Sequence, residues 1–444
     1  MWEALGTHRY RIIAALALVF LLAHFGSALW IDRDGRWLRG DARGYFAYLP
    51  SILIDHDLLF ANDFARLNGE PPSDPEGPEL DAPDRGWAFN ALPIGPALLW
   101  APFYLVGLLA QAVLAVALGW GQPWDGHGFL PTAAVIVAGI AYAGAAAALT
   151  ARILERWFSP SLATASALTV WLASPALYYT AVSPVYSHTT AWFVVALAIC
   201  LWLRARDRRD DSDGWRAWLL AGSAFGLAAA VRQQDALLLA APAIDLLWGG
   251  GHRIFSPARV RSGLALGLGV AAGFAPQIIA WKVLFGWYLG SPIGWDLFRW
   301  TEPRFLEPLL SLGYNGLFSW TPVTALGLVG LVLLVRRDPR VVGGLLLALI
   351  AMLYYEFSIY DQHAGSTWGA RRFISVNVAF AAGVGALWLP VAARFPVLPG
   401  AVASVLVAWN VVLLGAYEWL VHRHGIHAPL RTVVGWLFTG QLDR

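Results

Sequence analysis

The chain has 444 residues, 58% of them hydrophobic and 14% charged, with a net charge of +2 and a mean hydropathy of +0.56. Soluble domains carry about 25% charged and 45–50% apolar residues, so a soluble protein is excluded; the net charge says nothing about nucleic acid, which is not expected as a partner. The apolar runs are continuous rather than alternating, which argues for helices over a β-barrel. The fold class is an all-α integral membrane protein, a polytopic bundle forming one membrane domain over 1–444. Cys200 is the only cysteine, so neither an internal disulfide nor a cysteine metal site is available.

In chain order, Arg9 and Arg11 precede an apolar run of about 20 residues, nearer in length to an anchor than to a cleavable leader. Apolar spans follow near 93–119, 131–152, 160–182, 187–204, 216–231, 235–249, 262–284, 320–335, 341–357, 373–393 and 398–421. With 10–31 this makes about twelve, many approaching the roughly 20 residues that cross a bilayer. The arginine-rich loops "RARDRRDDSDGWR" (204–216), "HRIFSPARVR" (252–261) and "RRDPR" (336–340) read as cytoplasmic. The long segments 32–92 and 285–319 then read as outer. This orientation puts both flanks of 93–119 on one side, and Pro93, Pro96 and Pro102 point to a broken or re-entrant helix there. The stretch 57–90, with "NGEPPSDPEGPELDAPDRG", reads as a solvated acidic loop.

The first outer loop contains "RGDARGYFAYLPSILIDHD" (39–57). Tyr45, Tyr48, Leu49, Ile52 and Leu53 recur at helical spacing, which predicts an amphipathic juxtamembrane helix near 41–56 with an aromatic, apolar face. Pro50 predicts a kink. Asp41 at its start has two readings: a cap for the free N–H groups, or a base at the membrane edge. Asp55 and Asp57 at the far end read as a solvated last turn.

"GDARGYFAYLPSILIDHDLLFANDF" resembles the first-loop motif of the GT-C class of glycosyltransferases, which includes protein O-mannosyltransferases and lipid A aminoarabinose transferases. "NALPIGPALLWAPFYL" (90–105), "GLFSWTPV" (316–323) and "AGSTWGARRF" (364–373) resemble further elements of bacterial members. The resemblance implies a polyprenyl-phosphate sugar as donor, a lipid, glycan or protein as acceptor, membrane lipid as a partner, a site on the outer face of the bacterial inner membrane, and Asp41 as the catalytic carboxylate. Ala42 stands where many members have a second acid, which argues against a two-carboxylate metal site, and no cofactor is expected.

Direct displacement at an anomeric carbon needs a base for the acceptor and cations for the leaving phosphate. Arg371 and Arg372 are the first candidates, since a guanidinium fork matches phosphate; they read equally as interfacial anchors. Arg232, in the polar interruption "VRQQD", reads as a border of the donor site or as a turn with an Arg232–Asp235 pair. Lys282, the only lysine, reads as a substrate cation or a snorkelling side chain. His188 is a substrate ligand or a structural histidine. Tyr45 and Tyr186 complete the substrate-binding candidates, and Trp287, Trp295 and Trp300 are candidates to stack on a sugar. Asp361 and His363 are two metal-type ligands, too few for a site. Two alternatives stand beside the transferase: a transporter or flippase of lipid-linked glycans, and a polymerase or ligase using diphosphate-linked chains.

Overall fold

The computed structural model describes residues 2–31, 37–68, 90–208, 213–248, 256–290, 292, 294–313, 315–360, 368–424 and 428–441. Most of the acidic 57–90 stretch lies outside them, as do Asp361 and His363. Most of the described residues are helical, and no strand occurs among them. In chain order the elements used below are α1 (Arg9–Ile31), α2 (Asp41–Pro50), α3 (Gly95–Leu118), α4 (Phe129–Leu154), α5 (Pro160–Ala173), α6 (Ser187–Asp207), α7 (Gly214–Val231), α8 (Pro257–Phe285), α9 (Val323–Leu334), α10 (Val341–Ser358), α11 (Asn377–Arg394) and α12 (Leu398–His424).

Among the described residues, eight helices are long and apolar enough to cross a membrane, so the protein is multi-pass; the count of about twelve is not confirmed. The shortfall has local causes. The 160–182 span breaks after α5 at Ser174 and Pro175, because proline removes a donor and clashes with the preceding turn. Asn410 of α12 braces this break: its Nδ2 donates to Leu172 O at 2.8 Å and to Ser174 O at 3.1 Å. The 235–249 span is a 3-10 turn, Gln233–Leu239, followed by a short helix, Ala240–Leu247. Helix α9 has 12 residues, about 18 Å of rise against a hydrocarbon core of roughly 30 Å.

The bundle has two distinguishable ends. At one, Arg9 at the start of α1 pairs with Glu155 at 3.1 Å, Arg156 reaches Asp207 and Asp338, and Arg259 donates to Leu246 O. The arginine-rich loops thus gather at one end, as their charge predicts. At the other end Trp37 meets Phe129 at the start of α4, and α2 packs below it.

Helix α3 starts part-way along its neighbour. The Tyr142 hydroxyl, midway along α4, donates to Leu99 O at 2.7 Å, and Gly107 packs on Leu130 at the start of α4. Only the first half of α3 therefore lies alongside α4. Helix α2 and the turn after it bridge the two flanks of α3: Asn90 Nδ2 donates to Gly44 O at 3.0 Å, while Ile54 packs on Gly126. Both flanks of α3 meet the same element, and α3 itself is one continuous helix of 24 residues, not broken at Pro102 as its prolines suggested.

Helix α2 is more enclosed than an interfacial helix. Ala42 and every residue from Gly44 to Pro50 are buried. Beyond Pro50 the backbone widens into a single π turn, Ser51–Asp55, closed by His56 in the left-handed region, a common response to a helix that must re-aim. Helices α7 and α8 pack by backbone approach. A Cβ on Gly222 would clash with the carbonyl of Leu266, and one on Gly226 with that of Val270, so only glycine allows this contact, as in small-residue membrane interfaces.

Candidate functional site

Gly40 precedes α2 with φ at 52° and caps it without a side-chain bond. Positive φ costs a residue with a Cβ about 1–2 kcal/mol, and a Cβ here would fall 2.5 Å from the Tyr186 hydroxyl. Asp41 is the first helical residue, and its side chain does not cap the helix. Instead its Oδ2 lies 3.1 Å from Nη1 of Arg371, 330 residues away. The Asp41 side chain is 39% exposed and the Arg371 side chain 11%, so the carboxylate faces open space while its partner is held in protein. Nη1 of Arg371 is buried and makes no aligned hydrogen bond. The contact is an ion pair by distance, and the guanidinium retains an N–H for another acceptor.

From Arg371 a continuous set of contacts returns to α2. The Arg371 guanidinium carbon stands 5.5 Å from the Tyr186 ring centroid. Tyr186 stacks on His188 with an interplanar angle of 15°. His188 Nδ1 is 2.9 Å from Arg232 Nη1; arginine has only donors, so Nδ1 accepts and the neutral ring carries its proton on Nε2. Arg232 also donates to Ser187 Oγ at 3.2 Å, and Ser187 Oγ donates to the Tyr45 hydroxyl at 3.0 Å. With its amide oxygen turned to Arg232, Gln234 accepts from Nη2 at 2.5 Å and Nε at 3.0 Å. Burial raises the phenol of Tyr45, with the Asp41 carboxylate acting in the same direction, and burial likewise raises Tyr186. Both are neutral hydroxyls at physiological pH, suited to donate rather than to act as bases.

The pieces are held from three directions. Arg371 opens a 3-10 turn, Arg371–Val376, that leads into α11. Ser375 in that turn donates to buried Asp235 Oδ1 at 2.7 Å, tying it to the segment that carries Arg232. Arg372 points elsewhere and pairs with buried Glu356 of α10 at 3.1 Å. Arg371 and Arg372, adjacent in sequence, thus serve two different carboxylates. Asp235 bonds Ser375 through its carboxylate and meets Arg232 through the backbone, its N–H donating to Arg232 O at 2.9 Å.

The structure brings together Asp41, Tyr45, Tyr186, His188, Arg232 and Arg371, with Arg372 beside them. It does not bring Lys282 to this cluster: Nζ donates to Gly286 O at 2.8 Å and lies over the Tyr288 ring, satisfying the C-terminal cap of α8. Trp287 stacks on Phe285, and Trp300 on Phe298, so these rings are engaged with neighbouring aromatics. Asp57 accepts from Ser51 and Leu59, and Asp55 from Asn62. Gln234 belongs to the polar interruption the sequence showed; Ser187, Ser375 and Glu356 escape sequence reasoning. A lone acid in the apolar run of α10 was a usable signal for Glu356; the neutral residues carried none. Among the described residues no three of His, Cys, Asp and Glu come together as metal ligands.

Residues 127–280 match the family model described as dolichyl-phosphate-mannose-protein mannosyltransferase, a GT-C family domain. The matched third of the chain runs from before α4 into α8, carries Tyr186, His188 and Arg232, and stops short of Arg371; Asp41 lies before it. No curated protein matches the chain. The family match, with the apolar helices, supports a multi-pass membrane glycosyltransferase of the GT-C type.

Proposed function

We propose that the protein transfers a sugar from a polyprenyl-phosphate carrier to a lipid, glycan or protein acceptor on the outer face of the bacterial inner membrane, inverting the anomeric centre. The observation that carries this reading is the meeting of an open carboxylate, Asp41, with the buried Arg371, while Arg232 stands behind it on the family-matched segment. Asp41 takes the acceptor hydroxyl proton as that oxygen bonds to the anomeric carbon. The bond from that carbon to the phosphate oxygen breaks, and polyprenyl phosphate leaves with the bonding electrons. Arg371, with its unaligned N–H, turns from Asp41 toward the phosphate, and Arg232 adds a second guanidinium. Stabilising charge that grows in the transition state is the most effective use of such groups. His188, Tyr45 and Tyr186 hold sugar or phosphate oxygens. No metal step is invoked.

The test is transfer by the purified protein in detergent from radiolabelled polyprenyl-phosphate sugars to a lipid extract of the producing cell, with Asp41→Asn run in parallel. A labelled product made by the wild type and lost in the variant supports the reading and names the sugar. Normal transfer by Asp41→Asn removes Asp41 from the chemistry. Transfer only from diphosphate-linked chains replaces the donor class, and movement of a lipid-linked glycan across vesicles without transfer replaces the enzyme with a transporter.

A further inference from the structure

A cavity of about 650 Å³ lies at the far end of α2 from Asp41. It falls within the roughly 300–1,000 Å³ of ligand pockets, and its lining is mixed: the planar polar side chains of Asp55, Asn62, Arg66, Asp125 and His127 stand beside apolar groups and the exposed Trp124. The polar groups are held by one another or by buried neighbours. Asn62 donates to Asp55 at 2.8 Å and Arg66 to Asp125 at 3.3 Å. His127 Nε2 lies 3.1 Å from the fully buried carboxylate of Asp63. Trp124 is 59% exposed and has φ at 62°, an uncommon conformation for a bulky residue, and one that tends to mark functional loops.

We infer that this cavity is a saccharide-binding site, and that it holds a distal unit of the acceptor glycan. Carboxylate, amide and guanidinium planes present paired acceptors and donors that match neighbouring hydroxyls, while the indole face suits the C–H side of a sugar ring. A lipid tail has no use for such a lining. The cavity wall carries two carboxylates, Asp55 and Asp125, against one guanidinium, Arg66, which selects neutral or amino-bearing sugars over uronic acids. Pro50, at the cavity edge, lies nine positions after Asp41 on α2, about 13 Å of helical rise. One sugar ring does not bridge that distance, so the bound unit lies away from the reacting hydroxyl. The acceptor role rests on the transferase reading; saccharide binding does not.

The experiment separates the two. Saturation-transfer NMR on the detergent-solubilised protein, with neutral, N-acetylated and uronic mono- and trisaccharides, needs no turnover. The expected result is contact with neutral or N-acetylated saccharides through their C–H protons, at least tenfold weaker in Trp124→Ala and in Asn62→Ala, with Asp41→Asn unaffected. Binding that both cavity variants leave unchanged, or none from any saccharide, overturns the site. In transfer assays Trp124→Ala is expected to raise the acceptor KM about tenfold while kcat and donor KM hold. An unchanged acceptor KM alongside lost saccharide binding overturns the acceptor role alone.

Discussion

Two ion pairs at opposite ends of the bundle show how one kind of chemistry serves two purposes. At the arginine-rich end, Arg206 Nε lies 3.0 Å from Asp245 Oδ1, and Trp202 Nε1 donates to the other carboxylate oxygen at 3.3 Å. Asp245 is completely buried, bonded on both oxygens and closed to any ligand. At the other end, Asp41 and Arg371 stand at 3.1 Å, but the carboxylate is open and a guanidinium N–H is unaligned. A saturated pair positions helices. An unsaturated pair, with one member open, is ready for exchange with a substrate.

The strongest attack on this contrast is Asp41→Asn. Loss of a general base costs about 10²–10⁴-fold in rate, and because Asn keeps an oxygen for Arg371 at an open position the thermal midpoint should hardly move; a large fall in stability with transfer retained would reverse the assignment of the two pairs. Asp245→Ala should do the opposite. Removing one partner of a buried pair leaves a charge uncompensated, at a cost of about 3 kcal/mol, read as a lowered midpoint in detergent, with kcat of the folded fraction unchanged. Arg371→Lys sharpens the comparison further. It keeps the charge but loses the fork, so the donor KM should rise about tenfold with the acceptor KM steady; Arg206→Lys should leave both unchanged. The smallest effect is expected for Gly40→Ala, which places a Cβ at positive φ and displaces the Tyr186 hydroxyl. About 1–2 kcal/mol of stability should be lost, together with part of the activity, since Asp41 is the next residue.

The sequence reached some parts of this site and not others, for physical reasons. Arg232 could be singled out because a charged residue interrupting an apolar run is costly and needs a purpose, Asp41 by its place in the first-loop motif, and Arg371 and His188 by their positions at the mouths of helices. By its position Asp41 reads as a cap or a first-turn residue; the structure makes it the first helical residue and gives the cap to Gly40, whose positive φ a side chain would oppose. Lys282 had the same local signature as the arginines. Its short reach to Gly286 depends on how α8 ends, which no side-chain pattern announces. Arg371 and Arg372 are indistinguishable in sequence, and the backbone turn that starts there sends them to different carboxylates.

By itself, the sequence determined the membrane class, the helical content and the gathering of the basic loops at one end, because hydropathy and charge act on each segment independently of its neighbours. It also carried the first-loop motif that pointed to a sugar transferase. Tertiary structure decided where α3 starts, that α2 is enclosed, and that Arg371 rather than Arg372 faces Asp41. These depend on contacts between residues hundreds of positions apart, made in three dimensions through backbone breaks at Pro175 and Pro50, and through glycine surfaces that set how closely helices approach.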